Sequence, residues 1–133
     1  MELQVRLDGA KRVSTRIGNH EILTDQPVKA GGGDTAPAPF DLFLASIATC
    51  AGFFVQSYCA NKQIDTTGIG ITLNTRRDPT SKKITTFIVT IEIPPHLPAH
   101  LHKTLCKVAA QCAVTKTIES QPEFIVEAKS ANG

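Results

Sequence analysis

The sequence has no tryptophan, one tyrosine and one methionine, and aromatics make up only 5% of its 133 residues. So few flat rings argue against a base-stacking platform for nucleic acid. An excess of one charge is also missing. Fourteen Lys and Arg stand against twelve Asp and Glu, a formal net charge of +2, and the cations are scattered. That balance leaves no electrostatic footprint for nucleic acid or an anionic membrane, and neither is expected as a partner. No Cys-x-x-Cys occurs among Cys50, Cys59, Cys106 and Cys112, which removes the usual zinc-ribbon and thioredoxin-type spacings. The start, "MELQVRLDGAKR", alternates apolar and polar residues and lacks the charged-then-apolar layout of a secretory signal. A cytoplasmic location is therefore expected, where the cysteines begin as thiols.

What is present is ordinary for a globular protein: 41% apolar and 20% charged residues, enough chain to bury a core and, by length, a single domain over residues 1–133. "LQVRL" and "RVSTRI" alternate around Asp8-Gly9, and Gly18-Asn19 leads into "HEILT", so a three-stranded meander is expected. "DQPVKAGGGDTAPAP" is too rich in Gly and Pro for either regular element. It reads as a flexible loop, and a loop of this length in a small domain is usually functional or disordered.

From Phe40 to Asn61 the sequence is apolar without strand alternation, and Asp41 stands at the expected first turn of a helix. Its length would suit a membrane span, but Ser46, Thr49, Gln56 and Ser57 interrupt it and amphipathic strands flank it. A helix apolar on nearly all sides must be covered on most of them. One chain of this size can scarcely do so, and a dimer built around the helix is inferred. "GIGITLNTRR" and "KITTFIVTIEI" read as a hairpin. A second helix is expected to open near Pro98, with Leu101, Leu105, Val108, Cys112 and Thr115 on one face. "EFIVEAK" reads as a closing strand. The order of elements predicts an α+β fold.

Cys50 and Cys59 lie half a turn out of phase on the first helix and cannot pair within it. Cys112 shares the apolar face expected for the second helix, and Cys106 lies off it. A Cys50–Cys112 pair across a helix contact is the attractive geometry, although periodicity alone does not establish it. Cys59 and Cys106 read as packing residues, with Cys106 an alternative partner if the second helix is rotated.

"TDQPVKAGGGDTAPAPFDLFLASIATCAG", followed 62 residues after Cys50 by "CAVTKTI", resembles the family of osmotically inducible protein C and organic hydroperoxide resistance proteins. The order of elements is similar over essentially the whole chain. The resemblance implies an OsmC-like α+β fold in which strongly curved antiparallel sheets flank two long central helices of an intertwined homodimer. It also implies a thiol peroxidase acting on organic hydroperoxides, with Cys50 attacking the peroxide, Cys112 resolving the product to a disulfide, and an external thiol or dithiol as reductant. No metal, flavin or other cofactor is implied. Phe43, Phe53 and Phe54 are candidates to line the substrate site.

Apolar surroundings disfavour a thiolate, so this chemistry calls for a nearby cation. In the organic hydroperoxide resistance branch that cation is an arginine held by a glutamate near the start of the central helix. Here Arg16 is the candidate and Arg12 competes with it. The glutamate position, ten before Cys50, is Phe40, and the nearest acid is Asp41. A non-peroxidatic protein of the same fold, binding a small apolar or thiol-reactive ligand at the dimer boundary, is the alternative reading. A metallochaperone is a third, but His100 and His102 diverge by about 200° on a helix and would not converge on one ion.

Overall fold

In the computed structural model, which describes residues 1–131, the chain falls into two compact units: Met1–Ser46 and the residues from Ile47 onward. The boundary lies inside a long helix.

The first unit opens with β1 (Val5–Gly9), β2 (Arg12–Ile17) and β3 (His20–Thr24), an antiparallel meander with β2 in the centre. The Gly18-Asn19 turn joins Ile17 to His20 directly, and Gly18 has φ 57°, a conformation that costs glycine little. At the first turn the pairing shifts register between Leu7 and Gly9, and the turn closes at Gly9 opposite Arg12.

The Gly/Pro-rich stretch that follows is pinned rather than slack. Asp25 is buried and its carboxylate accepts hydrogen bonds from the Gln26 amide (2.8 Å), the Thr35 amide (3.0 Å) and the Thr35 hydroxyl (2.6 Å). Its own amide donates to the Pro37 carbonyl, and the Asp34 amide donates to Gln26. Two of the three consecutive glycines are dictated by backbone geometry. Gly31 caps a short 3-10 turn (Val28–Ala30) at φ 87°, and a methyl on Gly32 would overlap the Gln26 carbonyl.

Those bonds lower the Asp25 carboxyl from its ordinary 3.8 to about 2, the Thr35 hydroxyl contributing most, then the Thr35 and Gln26 amides, against the opposing effect of burial. A depressed carboxylate contributes stability that is complete above its ordinary value and disappears as pH falls through the folded one. Thermal melting should therefore show an acid-dependent loss as pH falls from about 4 to about 2. The same series on Asp25→Ala should start from a lower Tm and show a shallower loss; an identical slope in the variant would contradict the assignment.

The helix α1 (Pro39–Asn61) carries Asp41 in its first turn and crosses into the second unit. Its composition and length, at mean hydropathy 1.5, would suit a membrane span. Its pattern of burial shows what one face does. Ile47, Ala51, Val55 and Cys59, one helical turn apart, are buried, and Ala51, Val55 and Cys59 share a core with Leu101, Leu105 and Ala109. Ile69, Ile71, Val89 and Ile91 pack against that core from an antiparallel hairpin, β4 (Gly70–Arg77) and β5 (Ile84–Glu92). Asp78 ties the hairpin's tip by accepting from the Thr80 and Ser81 amides.

The predicted second helix is two helices, α2 (Leu101–Ala109) and α3 (Ala113–Glu119). The amide of Gln111 bonds the Val108 carbonyl and that of Cys112 the Ala109 carbonyl, so the last turn of α2 tightens and the chain leaves the helix at Cys112, φ −47° and ψ 121°. Leu101, Leu105 and Ala109 form the buried face of α2, and Val108 and Thr115 are only half-buried. The expected closing strand is also absent: residues 122–131 have no regular structure, and Phe124, Ile125 and Val126 are exposed. Strand propensity is realised only against a partner strand, and this segment has none here. The architecture is α+β with antiparallel sheets.

Candidate active site

Cys50 and Cys112 meet inside the second unit. Cys50 sits half-buried on α1, on a different side of the helix from the core stripe that ends in Cys59. Cys112 is 1% exposed and occupies the N-cap of α3. The break between α2 and α3 therefore has a consequence for the site: it turns the Cys112 sulfur towards the first turn of α3. Sγ accepts a hydrogen bond from the Thr115 amide at 3.5 Å, and Thr115, Val114 and Cys50 are the neighbours that favour its anion. Both cysteines are free thiols.

The electrostatic outcome for Cys112 is decided by which effect is larger. Burial pushes its thiol up, but the bonds from Thr115, Cys50 and Val114 favour the anion, and the net direction is downward. Cys59 shows the contrasting case. It is fully buried, burial alone acts on it, and its thiol is pushed up. That is the environment of an inert packing residue. Cys106 is exposed on α2.

The other predicted site residues are distributed over both units. Phe53 is exposed on α1, and its ring packs edge-on to that of the half-buried Phe54, one helical turn beyond Cys50. Phe53 also lines an open groove of about 670 Å³ with Thr49, Gln56, Ile69 and Ile71. Phe43, half-buried, lies in the first unit with its ring 5.5 Å from that of Phe40. Asp41 is exposed in the first turn of α1. Arg16 is in β2, opposite Glu21 in the ladder, and shares a shallow cleft with Glu2, Gln4 and Arg6. Arg12, on the same face of β2, contacts the Asp8 carbonyl. Among the described residues, no group of three or more His, Cys, Asp or Glu side chains is placed to hold a metal ion.

Thr115 was not singled out by sequence as a site residue. The available signal was Cys-x-x-Thr, which has the spacing of an N-cap whose side chain accepts from the amide three residues on.

A family model described as OsmC-like protein matches residues 31–127, more than half of the chain and both cysteine motifs. The chain belongs to the OsmC-like protein family. Among solved structures, this OsmC-like chain is similar to one from Psychrobacter arcticus described as an osmotic stress induced and detoxification response protein. The two are 25% identical, with a TM-score of 0.70 and coverage of 86% of this chain and 85% of that one. It is also similar to the organic hydroperoxide resistance protein OsmC of Legionella pneumophila (19% identity, TM-score 0.55, 89% of each chain). A third likeness is to an organic hydroperoxide resistance protein of Bacillus subtilis (19% identity, TM-score 0.54, 91% of this chain and 93% of that one). The last two likenesses bear on the fold alone. No curated protein matches the chain by sequence.

Proposed function

We propose that this OsmC-like chain is a cysteine-based thiol peroxidase that reduces organic hydroperoxides to alcohols. The observation that carries the reading is the pair of neighbouring free thiols, Cys50 half-buried and Cys112 buried. The words "organic hydroperoxide resistance" describe the Legionella and Bacillus relatives, and the proposal extends that chemistry to this chain.

In the proposed reaction the Cys50 sulfur attacks the distal oxygen of ROOH. The O–O bond breaks, the alkoxide takes a proton to leave as ROH, and Cys50 becomes a sulfenic acid. Cys112 then attacks that sulfur: the S–S bond forms, the S–O bond breaks and hydroxide leaves as water. An external thiol or dithiol reduces the disulfide by exchange. Phe43, Phe53 and Phe54 supply an apolar wall that favours organic peroxides over hydrogen peroxide.

Activation of Cys50 is assigned to a cation, Arg16 by preference and Arg12 as the competitor, with Asp41 orienting it in place of the glutamate replaced by Phe40. The working form is a homodimer. What supports this is the composition of α1, apolar on nearly every side, together with the 62% exposure of Phe53. The cytoplasm, a reducing compartment, suits the reductant the cycle needs.

Steady-state consumption of cumene hydroperoxide with a dithiol reductant tests the proposal, with hydrogen peroxide as comparison. The organic peroxide should be consumed far faster. Arg16→Met should lower kcat/KM by about a hundredfold or more, and Arg12→Met by much less; the reverse order would transfer the role to Arg12. The groove beside Phe53 favours one other reading, a non-peroxidatic protein that binds a small apolar ligand. Equal, background-level consumption of both peroxides would favour it.

A further inference from the structure

The net charge of +2 is unevenly placed. Arg76, Arg77, Lys82 and Lys83 stand within eight residues at the tip of the β4–β5 hairpin, and Asp78 is the one acid among them. The tip therefore carries +3, while the rest of the chain, with ten cations against eleven acids, nets to −1. All four cationic residues are exposed. None has an ion-pair partner: among the described residues the salt bridges are those of Arg6 with Asp8 and Glu21. Asp78 is engaged in the turn itself, its carboxylate accepting from the Thr80 amide at 3.1 Å and the Ser81 amide at 2.6 Å.

The backbone holds this tip in shape. The Arg77 guanidinium donates to the Lys82 carbonyl at 2.9 Å and closes the turn. The Asp78 amide donates to the Lys83 carbonyl and the Lys82 amide to the Asp78 carbonyl, both at 2.9 Å. Where the strands meet the turn the register slips, leaving Thr85 as an extra residue of β5, and its hydroxyl donates to the Arg76 carbonyl at 3.3 Å. A bulge of this kind sharpens the local twist and re-aims side chains. Charges gathered so closely act on an approaching partner as one positive patch. A turn already ordered by its own bonds also loses little conformational freedom when it binds.

We infer that the β4–β5 tip is a docking surface for an acidic stretch of a partner protein, whose carboxylates pair with Arg76, Arg77, Lys82 and Lys83. Guanidinium forks and ammonium groups both suit carboxylates. Nucleic acid fits less well, because no aromatic side chain lies between Arg76 and Ile84 to stack on a base. A bilayer surface also fits less well, since "RRDPTSKK" offers nothing large and apolar to enter it. Both are extended polyanions that would reach beyond the tip, where the chain's net charge is negative. A short acidic segment can meet the tip alone. The surface contains neither Cys50 nor Cys112, and the inference does not depend on the peroxidase reading.

The test is fluorescence anisotropy of a labelled oligoglutamate peptide titrated with the full chain at low and at physiological salt. An oligothymidylate of matched charge and vesicles of mixed phosphatidylglycerol and phosphatidylcholine serve as the competing probes. The peptide should bind the wild type, and more weakly as salt is raised. Combining Arg76→Gln, Arg77→Gln, Lys82→Gln and Lys83→Gln should weaken binding about tenfold or more. A control that neutralises Lys29, Lys62, Lys103 and Lys107 in the same way removes as much charge and should bind nearly as the wild type does. If the fourfold tip variant does not fold, Lys82→Gln with Lys83→Gln makes the measurement, because neither side chain supports the turn; its loss should be about threefold or more. No binding of oligoglutamate to the wild type would overturn the inference, as would equal weakening in the tip and control variants. Tighter binding of the oligothymidylate or the vesicles at the same salt would overturn it in favour of nucleic acid or a membrane surface.

Discussion

Cys50→Ser should reduce hydroperoxide consumption to the uncatalysed rate, a fall on the order of a thousandfold or more. The reason is electronic rather than steric. A serine hydroxyl has almost no anion at neutral pH and is a poor nucleophile towards an O–O bond, so the attacking atom is lost while the side chain's shape is nearly kept. Cys50 lies outside the buried stripe of Ile47, Ala51, Val55 and Cys59, so the substitution leaves the core intact. Melting should be close to that of the wild type. Consumption of cumene hydroperoxide and a melting curve on the same sample check both parts. A well-folded Cys50→Ser protein that still consumed peroxide at the wild-type rate would move the attacking role elsewhere, Cys106 being exposed and Cys112 buried.

Cys112→Ser should separate the two halves of the cycle. The first equivalent of hydroperoxide is consumed, the cycle stalls, and Cys50 persists as a sulfenic acid that a dimedone-type reagent captures. The fold should survive, because the position is an N-cap and serine is among the best residues there; its oxygen can accept from the Thr115 amide as the sulfur does. Intact mass after a single equivalent of peroxide reads the outcome directly. The expected product carries one trapped adduct per chain on Cys50, whereas wild type should give little adduct and a disulfide. Sustained turnover in the variant would mean that Cys112 is not needed for resolution and that the external thiol attacks the sulfenic acid itself.

Much of this arrangement was legible in the sequence because it depends on local pattern. Alternation and turn residues located β1 to β5, and the long, largely apolar run without strand alternation located α1 with its first turn at Asp41. The α2–α3 break was not legible. Leu101, Leu105, Val108, Cys112 and Thr115 keep helical spacing across it, and "KVAAQCAVTK" holds no Gly or Pro to end a helix. The chain leaves the helix there because a cysteine side chain can take the capping role, an alternative that periodicity does not register. A Cys50–Cys112 pair is attractive in the sequence only on the assumption of one continuous helix, which hides the Thr115 amide bond to Cys112 that the break creates.

"EFIVEAK" shows the opposite failure. Its residues favour a strand, but pairing is a tertiary property, and the described segment has no partner. Asp25 escaped notice because an acidic residue in a Gly/Pro-rich stretch looks solvated; its burial follows only from the loop folding back through Thr35. For Arg16 and Asp41, spacing in sequence carries no distance to Cys50.

The central claim is that Cys50 and Cys112 form one redox pair driven by organic peroxide. The most direct test treats fully reduced protein with one equivalent of cumene hydroperoxide, quenches with an alkylating reagent, digests, and maps every cysteine by mass spectrometry. The account predicts a Cys50–Cys112 linked peptide, formed far faster than with equimolar hydrogen peroxide, with Cys59 and Cys106 alkylated. Four free, alkylatable thiols after unfolding would contradict it and leave the ligand-binding reading in its place.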